Sequence, residues 1–215
     1  NAAGVFTTNK IVAAPVKICR ERIDNKVHAI LINATNANAC TGDEGFSNVI
    51  KLADDIAGKL RIPGNSILAA STGIIGRQLP AEKMISSHPE LIKNLSITPG
   101  HAMAEAIMTT DTIPKEAAAE FEHGGKSYSV AGIAKGSGMI SPNMATLLSF
   151  MLTDAPVARA DMNIIFRRLV KKTFNAITID GDMSTNDTAI ILSPESESYL
   201  SGETLKEFEL ALEYV

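Results

Sequence analysis

Lys135-Gly136-Ser137-Gly138-Met139-Ile140-Ser141-Pro142-Asn143-Met144-Ala145-Thr146-Leu147-Leu148 leads into the longest uncharged run of the chain, the 18 residues 136–153. A membrane span needs about 20 predominantly apolar residues. This run carries Pro142, Asn143, three serines and two glycines, so it does not read as transmembrane. It reads as a polar loop followed by an apolar piece of strand length over 147–152. The next two uncharged runs, 27–42 and 62–76, share the design: an apolar strand-like segment joined to a cluster of Asn, Ser, Thr and Gly. Such residues supply hydrogen bonds and unusual backbone angles without the desolvation cost of full charges. A site that holds a developing negative charge on backbone N–H groups needs chain of this kind. Strands followed by ordinary turns have the same look.

Outward from these runs, strands and helices interleave. Residues 4–8, 28–33 and 66–71 read as short buried strands. Phe46, Val49, Ile50, Ala53, Ile56, Ala57 and Leu60 form a helical stripe. Further helices are expected from Pro80 to about Leu95, and over 99–108. Residues 117–121 and 128–134 flank His123-Gly124-Gly125-Lys126 as a hairpin. Met162, Ile165, Phe166, Leu169, Val170 and Phe174 again repeat at helical spacing. Strands at 177–179 and 188–192 bracket the polar segment 180–187, which is expected to act through turn hydrogen bonds. With no Pro/Ser linker, repeat or low-complexity tract, a single α/β unit over 1–215 is expected.

Composition narrows the function classes. The 215 residues are 45% hydrophobic and 20% charged, enough for a sizeable core and unlike disordered or coiled-coil chains. Lys plus Arg number 20 against 24 Asp plus Glu, a formal charge of −4. With only three Tyr and seven Phe, this argues against a nucleic-acid surface. Cys19 and Cys40 are too few for a disulfide framework and have no CxxC spacing, so a reducing cytoplasm is the expected compartment. The chain opens at Asn1 without a signal-peptide pattern and ends at Glu213-Tyr214-Val215 within an amphipathic pattern; a cut at both ends is the expectation.

Several motifs are excluded. Gly124-Gly125-Lys126-Ser127 resembles the tail of a phosphate loop, but Glu120 stands where its first glycine is needed and a hairpin replaces the helix. Gly136-Ser137-Gly138 lacks the third glycine of a dinucleotide fingerprint, Ser141 holding that position. The Asp180 segment lacks the central Gly and final Glu of a calcium loop. His28, His88, His101 and His123 are scattered without zinc-ligand spacing, so no metal is expected. The sequons Asn33-Ala34-Thr35 and Asn94-Leu95-Ser96 are chance matches.

The Asn143-Met144-Ala145-Thr146 segment resembles the self-cleavage site of the glutamate N-acetyltransferase (ornithine acetyltransferase) family of arginine biosynthesis. The resemblance covers essentially the whole chain. It includes Gly4-Val5-Phe6-Thr7-Thr8-Asn9, Asn36-Ala37-Asn38-Ala39-Cys40-Thr41-Gly42, Ser71-Thr72-Gly73-Ile74-Ile75-Gly76, Met108-Thr109-Thr110-Asp111 and the segment 180–188. It implies a layered α/β/β/α-like fold and autocatalytic cleavage between Ala145 and Thr146, giving an α piece 1–145 and a β piece from 146. Thr146 becomes the nucleophile. Its freed α-amine, with a reference pKa of about 7.7–8.0, can serve as its own base. Before the cut no such amine exists, and the sequence names no substitute.

The resemblance further implies ping-pong transfer: N-acetylornithine acetylates Thr146, and glutamate accepts the acetyl group. Acetyl-CoA is a second candidate donor, used by some members. Thr72 and Gly73 match the oxyanion hole, and Thr109 and Lys135 match substrate-contacting positions. The resemblance implies no cofactor, no metal, no nucleic acid and no membrane, and an α2β2 heterotetramer from two cleaved precursors. Two departures stand out. Asn33-Ala34-Thr35-Asn36 replaces the family's usual Asn-Ser-Gly-Asn, which puts the local turn in question. The family's chain also continues past Val215 with substrate-binding residues that have no counterpart here. The competing readings are an N-terminal-threonine amidase or aminopeptidase, and a non-catalytic fragment of the acetyltransferase.

Overall fold

The computed structural model describes residues 1–96, 100–138 and 147–215. Ala145 and Thr146 lie outside the described residues. In chain order the elements are β1 (Ala2–Phe6), α1 (Ala14–Arg22), β2 (Ala29–Asn33), α2 (Gly42–Leu60), β3 (Ile67–Ser71), α3 (Ala81–Lys93), α4 (Gly100–Ala106), β4 (Lys115–His123), β5 (Lys126–Lys135), β6 (Leu148–Thr153), α5 (Arg159–Lys172), β7 (Thr188–Leu192) and α6 (Gly202–Tyr214). Five strands form one sheet in the order β1-β7-β6-β5-β4, and β2 pairs with β3 in a parallel sheet of two. Within the large sheet β6 and β7 run parallel, while the other pairs are antiparallel.

Alternation along the strands explains the layering, because successive side chains point to opposite faces. Val130, Met151, Ala189 and Ile191 pack against Met162, Phe166 and Leu169 of α5 and Phe208 and Leu212 of α6. Their neighbours Leu148, Phe150 and Ile190 face the other way, onto Leu68 and Ala70 of β3. The outer face of β3 then packs through Ile67 on Ala53, Ile56 and Ala57 of α2. Helices, sheet, sheet and helices follow in turn, the α/β/β/α arrangement expected.

An open strand edge presents unpaired N–H and C=O groups. Along β3 that edge is covered by α1, where buried Cys19 donates its Sγ–H to Ala69 O (3.0 Å) and accepts from Ala69 N (3.4 Å). Burial pushes the Cys19 thiol up to about 12, so it acts as a structural plug and not as a nucleophile. The β4–β5 turn has Gly124 and Gly125 at φ 59 and 75°, the left-handed pair a two-residue hairpin requires.

Two elements depart from the sequence reading. Residues 177–179 form no strand: Ile177 and Ile179 are 47% and 58% exposed, and three residues without a neighbouring strand cannot build a ladder. Helix α1 has no legible stripe in the sequence, because Lys17, Arg20 and Arg22 interrupt its small apolar face of Ala14, Val16, Ile18 and Cys19. Among the described residues, no helix is long and apolar enough to cross a membrane.

Candidate active site

Both sheets deliver chain ends to one place. Lys135, the last residue of β5, pairs with Leu148, the first of β6. Leu148 pairs with Thr188, the first of β7, and Thr188 with Phe6, the last of β1. In the small sheet Asn33 and Ser71 end together. The loops leaving these ends carry the three uncharged clusters singled out above.

The loop after β3 is locked by the loop after β2. Thr72 N donates to Asn33 O (3.1 Å), Ile74 N to Thr35 O (3.1 Å), and Ala37 N to Ile74 O (3.0 Å). Gly73 sits between them at φ 132°. A Cβ there would lie 2.1 Å from the Thr35 carbonyl carbon and 2.5 Å from Asn36 N, so only glycine fits. Among the described residues, Gly73 N–H donates to no acceptor.

Lys135 is buried, and its ammonium donates to Thr109 Oγ1 (2.7 Å) and Thr72 Oγ1 (3.1 Å). A lysine ammonium can only donate. Both threonine oxygens therefore accept here, and each hydroxyl hydrogen is left for another acceptor. Desolvation lowers the Lys135 pKa, with the Asp111 and Asp187 carboxylates opposing it and Lys115 adding to it. The structure thus brings Thr72, Thr109 and Lys135 into one hydrogen-bonded group, with Gly73 adjacent in the chain.

Asp111 shapes this group from behind. Its Oδ1 accepts Gly136 N (2.8 Å) and Lys115 Nζ (2.5 Å), and its Oδ2 accepts Thr109 N (3.4 Å). Burial alone would raise the Asp111 pKa, but Lys115 and the two backbone donors bring it below the usual carboxylate value. One carboxylate thus fixes the backbone at Thr109 and next to Lys135.

The segment before β7 closes the arrangement. Asn186 Nδ2 donates to Ala37 O (2.6 Å) and Ser71 O (2.9 Å), and Thr7 Oγ1 donates to Ser184 O (2.7 Å). Asp187 is 1% exposed. Its Oδ1 accepts the N–H of Leu147 (3.1 Å), and its Oδ2 has no hydrogen-bond partner among the described residues. Burial pushes its pKa up to about 8, against the pull of Leu147 N–H, the Ser184 and Thr7 hydroxyls and Lys135. A cleft lined by Ala37, Thr72, Gly73, Ile75 and residues 184–186 opens here. Two roomier clefts, of about 260 and 290 Å³, flank α5 and α6 and contain none of these groups.

Sequence reasoning did not select Asp111, Asn186 or Asp187 as site residues. All three lay inside quoted motifs. The available signal was an acidic or amide residue directly beside an apolar strand or a Thr pair, where burial forces it to find partners.

Two facing sheets with helices outside, and a cluster of hydroxyls, a glycine loop and one buried lysine at their common end, define an α/β/β/α protein equipped to hold an anion. The ArgJ family profile matches residues 1–215. The chain belongs to the ArgJ family. It is 46% identical over 220 aligned positions to the arginine biosynthesis bifunctional protein ArgJ of Caldanaerobacter subterraneus subsp. tengcongensis, covering 100% of this chain and 55% of that protein. The crystal structure of the corresponding Bacillus halodurans protein superposes with a TM-score of 0.60 at 38% identity, over 67% of this chain and 76% of that one. The ornithine acetyltransferase of Mycobacterium tuberculosis, solved with ornithine, superposes with a TM-score of 0.59 at 28% identity, over 68% and 91%. The chain spans about half the length of the curated relatives it matches.

Proposed function

We propose that this chain forms the nucleophile-bearing part of a self-processing acetyltransferase that moves an acetyl group from N-acetylornithine to glutamate, with acetyl-CoA as a second candidate donor. The observation that carries the reading is the Lys135 ammonium bridging Thr72 and Thr109 at the sheet end where the chain enters β6. Thr146 precedes that strand by a single residue, Leu147. In this reading residues 1–215 are one α/β unit, cut between Ala145 and Thr146 into an α piece and a β piece. The exposed α-amine of Thr146 takes the proton from its own hydroxyl as Oγ attacks the acetyl carbonyl.

The tetrahedral oxyanion formed in each half-reaction needs donors aimed at it. Thr72 O–H and Gly73 N–H suit that task, because the first oxygen is already satisfied by Lys135 and the second group is not engaged among the described residues. Losing one such donor commonly costs about 2.7–4 kcal/mol of transition-state stabilisation. Lys135 offers a positive charge to the amino-acid carboxylate, and Thr109 orients it. The ornithine held by the Mycobacterium tuberculosis relative supports a basic amino acid as the leaving product. A cytoplasmic α2β2 assembly of two cleaved precursors completes the proposal.

The test uses the complete gene product beside a Thr146→Ala variant. Intact mass is expected to show pieces meeting at 145/146 in the first and one uncut chain in the second. With acetylornithine, the processed protein is expected to gain one acetyl mass on the Thr146 piece and pass it to glutamate. Release as free acetate with glutamate present would make it a hydrolase instead.

A further inference from the structure

The self-cleavage reading leaves a chemical gap: the α-amine that serves as base in acetyl transfer does not exist until the Ala145–Thr146 bond is broken. One buried titratable group beside the start of β6 is unused by that mechanism. Asp187 directly precedes β7, and the parallel β6–β7 register sets it beside Leu147, since Thr188 N donates to Leu147 O (2.9 Å). Its Oδ1 takes the Leu147 N–H, and the nitrogen of Leu147 is peptide-bonded to Thr146. The Thr146 Cα is thus two covalent bonds, and its hydroxyl four, from an atom hydrogen-bonded to this carboxyl. The second oxygen, Oδ2, is buried and makes no hydrogen bond of normal geometry among the described residues; the Thr7 hydroxyl hydrogen is already given to Ser184 O, and the Ser184 hydroxyl is the neutral donor in its surroundings. A buried carboxyl with one oxygen anchoring the backbone and the other without a well-formed hydrogen bond calls for an explanation.

We infer that Asp187 is the general base of self-cleavage, acting on the Thr146 hydroxyl before the α-amine exists. The inference rests on the proposed processing at Thr146. As Oγ adds to the Ala145 carbonyl carbon, the Asp187 carboxylate takes the hydroxyl proton, and the carbonyl oxygen becomes an oxyanion. The tetrahedral centre then collapses and breaks the bond from the Ala145 carbonyl carbon to the Thr146 nitrogen. Asp187 returns the proton to that departing nitrogen. An ester between Ala145 and Thr146 Oγ remains, and water hydrolyses it to the Ala145 carboxylate and a free Thr146 hydroxyl.

The surroundings suit the role. Burial keeps Asp187 a weak acid, near 8, where a base is strong enough to accept a hydroxyl proton yet still deprotonated in useful amount near neutrality. Lys135, from β5, is the charged group acting on Asp187 among the described residues, with Asp111 and Lys115 behind it. The residue just after β1 and the loop before β7 bring the neutral hydroxyls of Thr7 and Ser184. Lys135 itself is the weaker candidate, because its ammonium is already donating to Thr72 and Thr109.

The experiment follows cleavage of precursor made by brief cell-free synthesis of the complete gene product and shifted into buffers from about pH 6 to 9.5. Asp187→Asn keeps an oxygen for the Leu147 N–H but removes the base. It is expected to cut at least about 100-fold more slowly, the usual worth of a positioned base. Circular dichroism and a urea midpoint at pH 6, where the native carboxyl is protonated, check that the variant is folded. The native rate is expected to climb with pH and level above about 8. Cleavage of a folded Asn variant within threefold of native, or a native rate flat across the range, overturns the role of Asp187. If the variant does not fold, the native pH profile alone decides. An uncut native precursor, or a Thr146→Ala precursor that is still cut, overturns the processing reading beneath it instead.

Discussion

Thr35 holds a left-handed conformation, φ 74°, that a β-branched side chain adopts at a cost of roughly 1–2 kcal/mol. The strain is maintained because its carbonyl accepts Ile74 N (3.1 Å) and its backbone forms the wall against which Gly73 is pressed. Thr35 stands where the family pattern usually has glycine, and the turn keeps the left-handed geometry the glycine would have allowed. Thr35→Gly should therefore stabilise the protein by about 0.5–1 kcal/mol, the relieved strain less the greater freedom glycine gains in the unfolded chain. The urea midpoint should rise. A midpoint that falls would mean that the Thr35 side chain contributes more than its backbone angle costs.

At the scale of elements, α2 and α3 are joined by a pair that no spacing rule suggested. His88, 2% exposed, places Nδ1 2.6 Å from Asp55 Oδ2, and Lys59 pairs with the same carboxylate from one turn away. Burial would raise the Asp55 pKa, but Lys59 and His88 outweigh it and the net shift is downward. A carboxylate held below its unfolded value contributes stability that is present above about pH 4 and is lost as pH falls through the folded pKa. Asp55→Asn should be less stable than the native protein at pH 6. The two urea midpoints should converge as pH is lowered towards 3. Parallel curves across that range would show that the pair carries no linked proton.

The same scale shows what the sequence could and could not convey. The helical stripe of α2 and the Gly124-Gly125 hairpin were legible because each is a local pattern with one structural solution. The short Ile177-Thr178-Ile179 alternation does not become a strand because a strand is defined by its neighbour, and among the described residues none pairs with it. Helix α1 was hidden because its role, covering the β3 edge with Cys19 and small residues, needs no continuous apolar stripe.

Over the whole molecule, the layered fold was legible from interleaved strands and helices, whereas the meeting of the loops was not. Thr72, Thr109 and Lys135 touch only because two sheets end at the same level, a fact of topology with no sequence period. Asn186 holds that level. From the approach to β7 in the large sheet, its amide reaches Ser71 O at the end of β3 and Ala37 O in the loop after β2, while its Oδ1 accepts Thr185 Oγ1 (2.5 Å). It is 5% exposed, so water cannot readily replace those bonds. Asn186→Ala strands two buried carbonyls, each worth about 1–3 kcal/mol of desolvation, and should destabilise the protein by about 2–4 kcal/mol. Asn186→Asp should be worse near neutral pH, because it turns a carboxylate towards the same two carbonyl oxygens. Urea unfolding measures both losses, and hydrogen exchange locates them: amides of β2 and β3 should lose protection before those at the centre of the large sheet. Uniform loss across both sheets would show that the joint is not where the two layers separate.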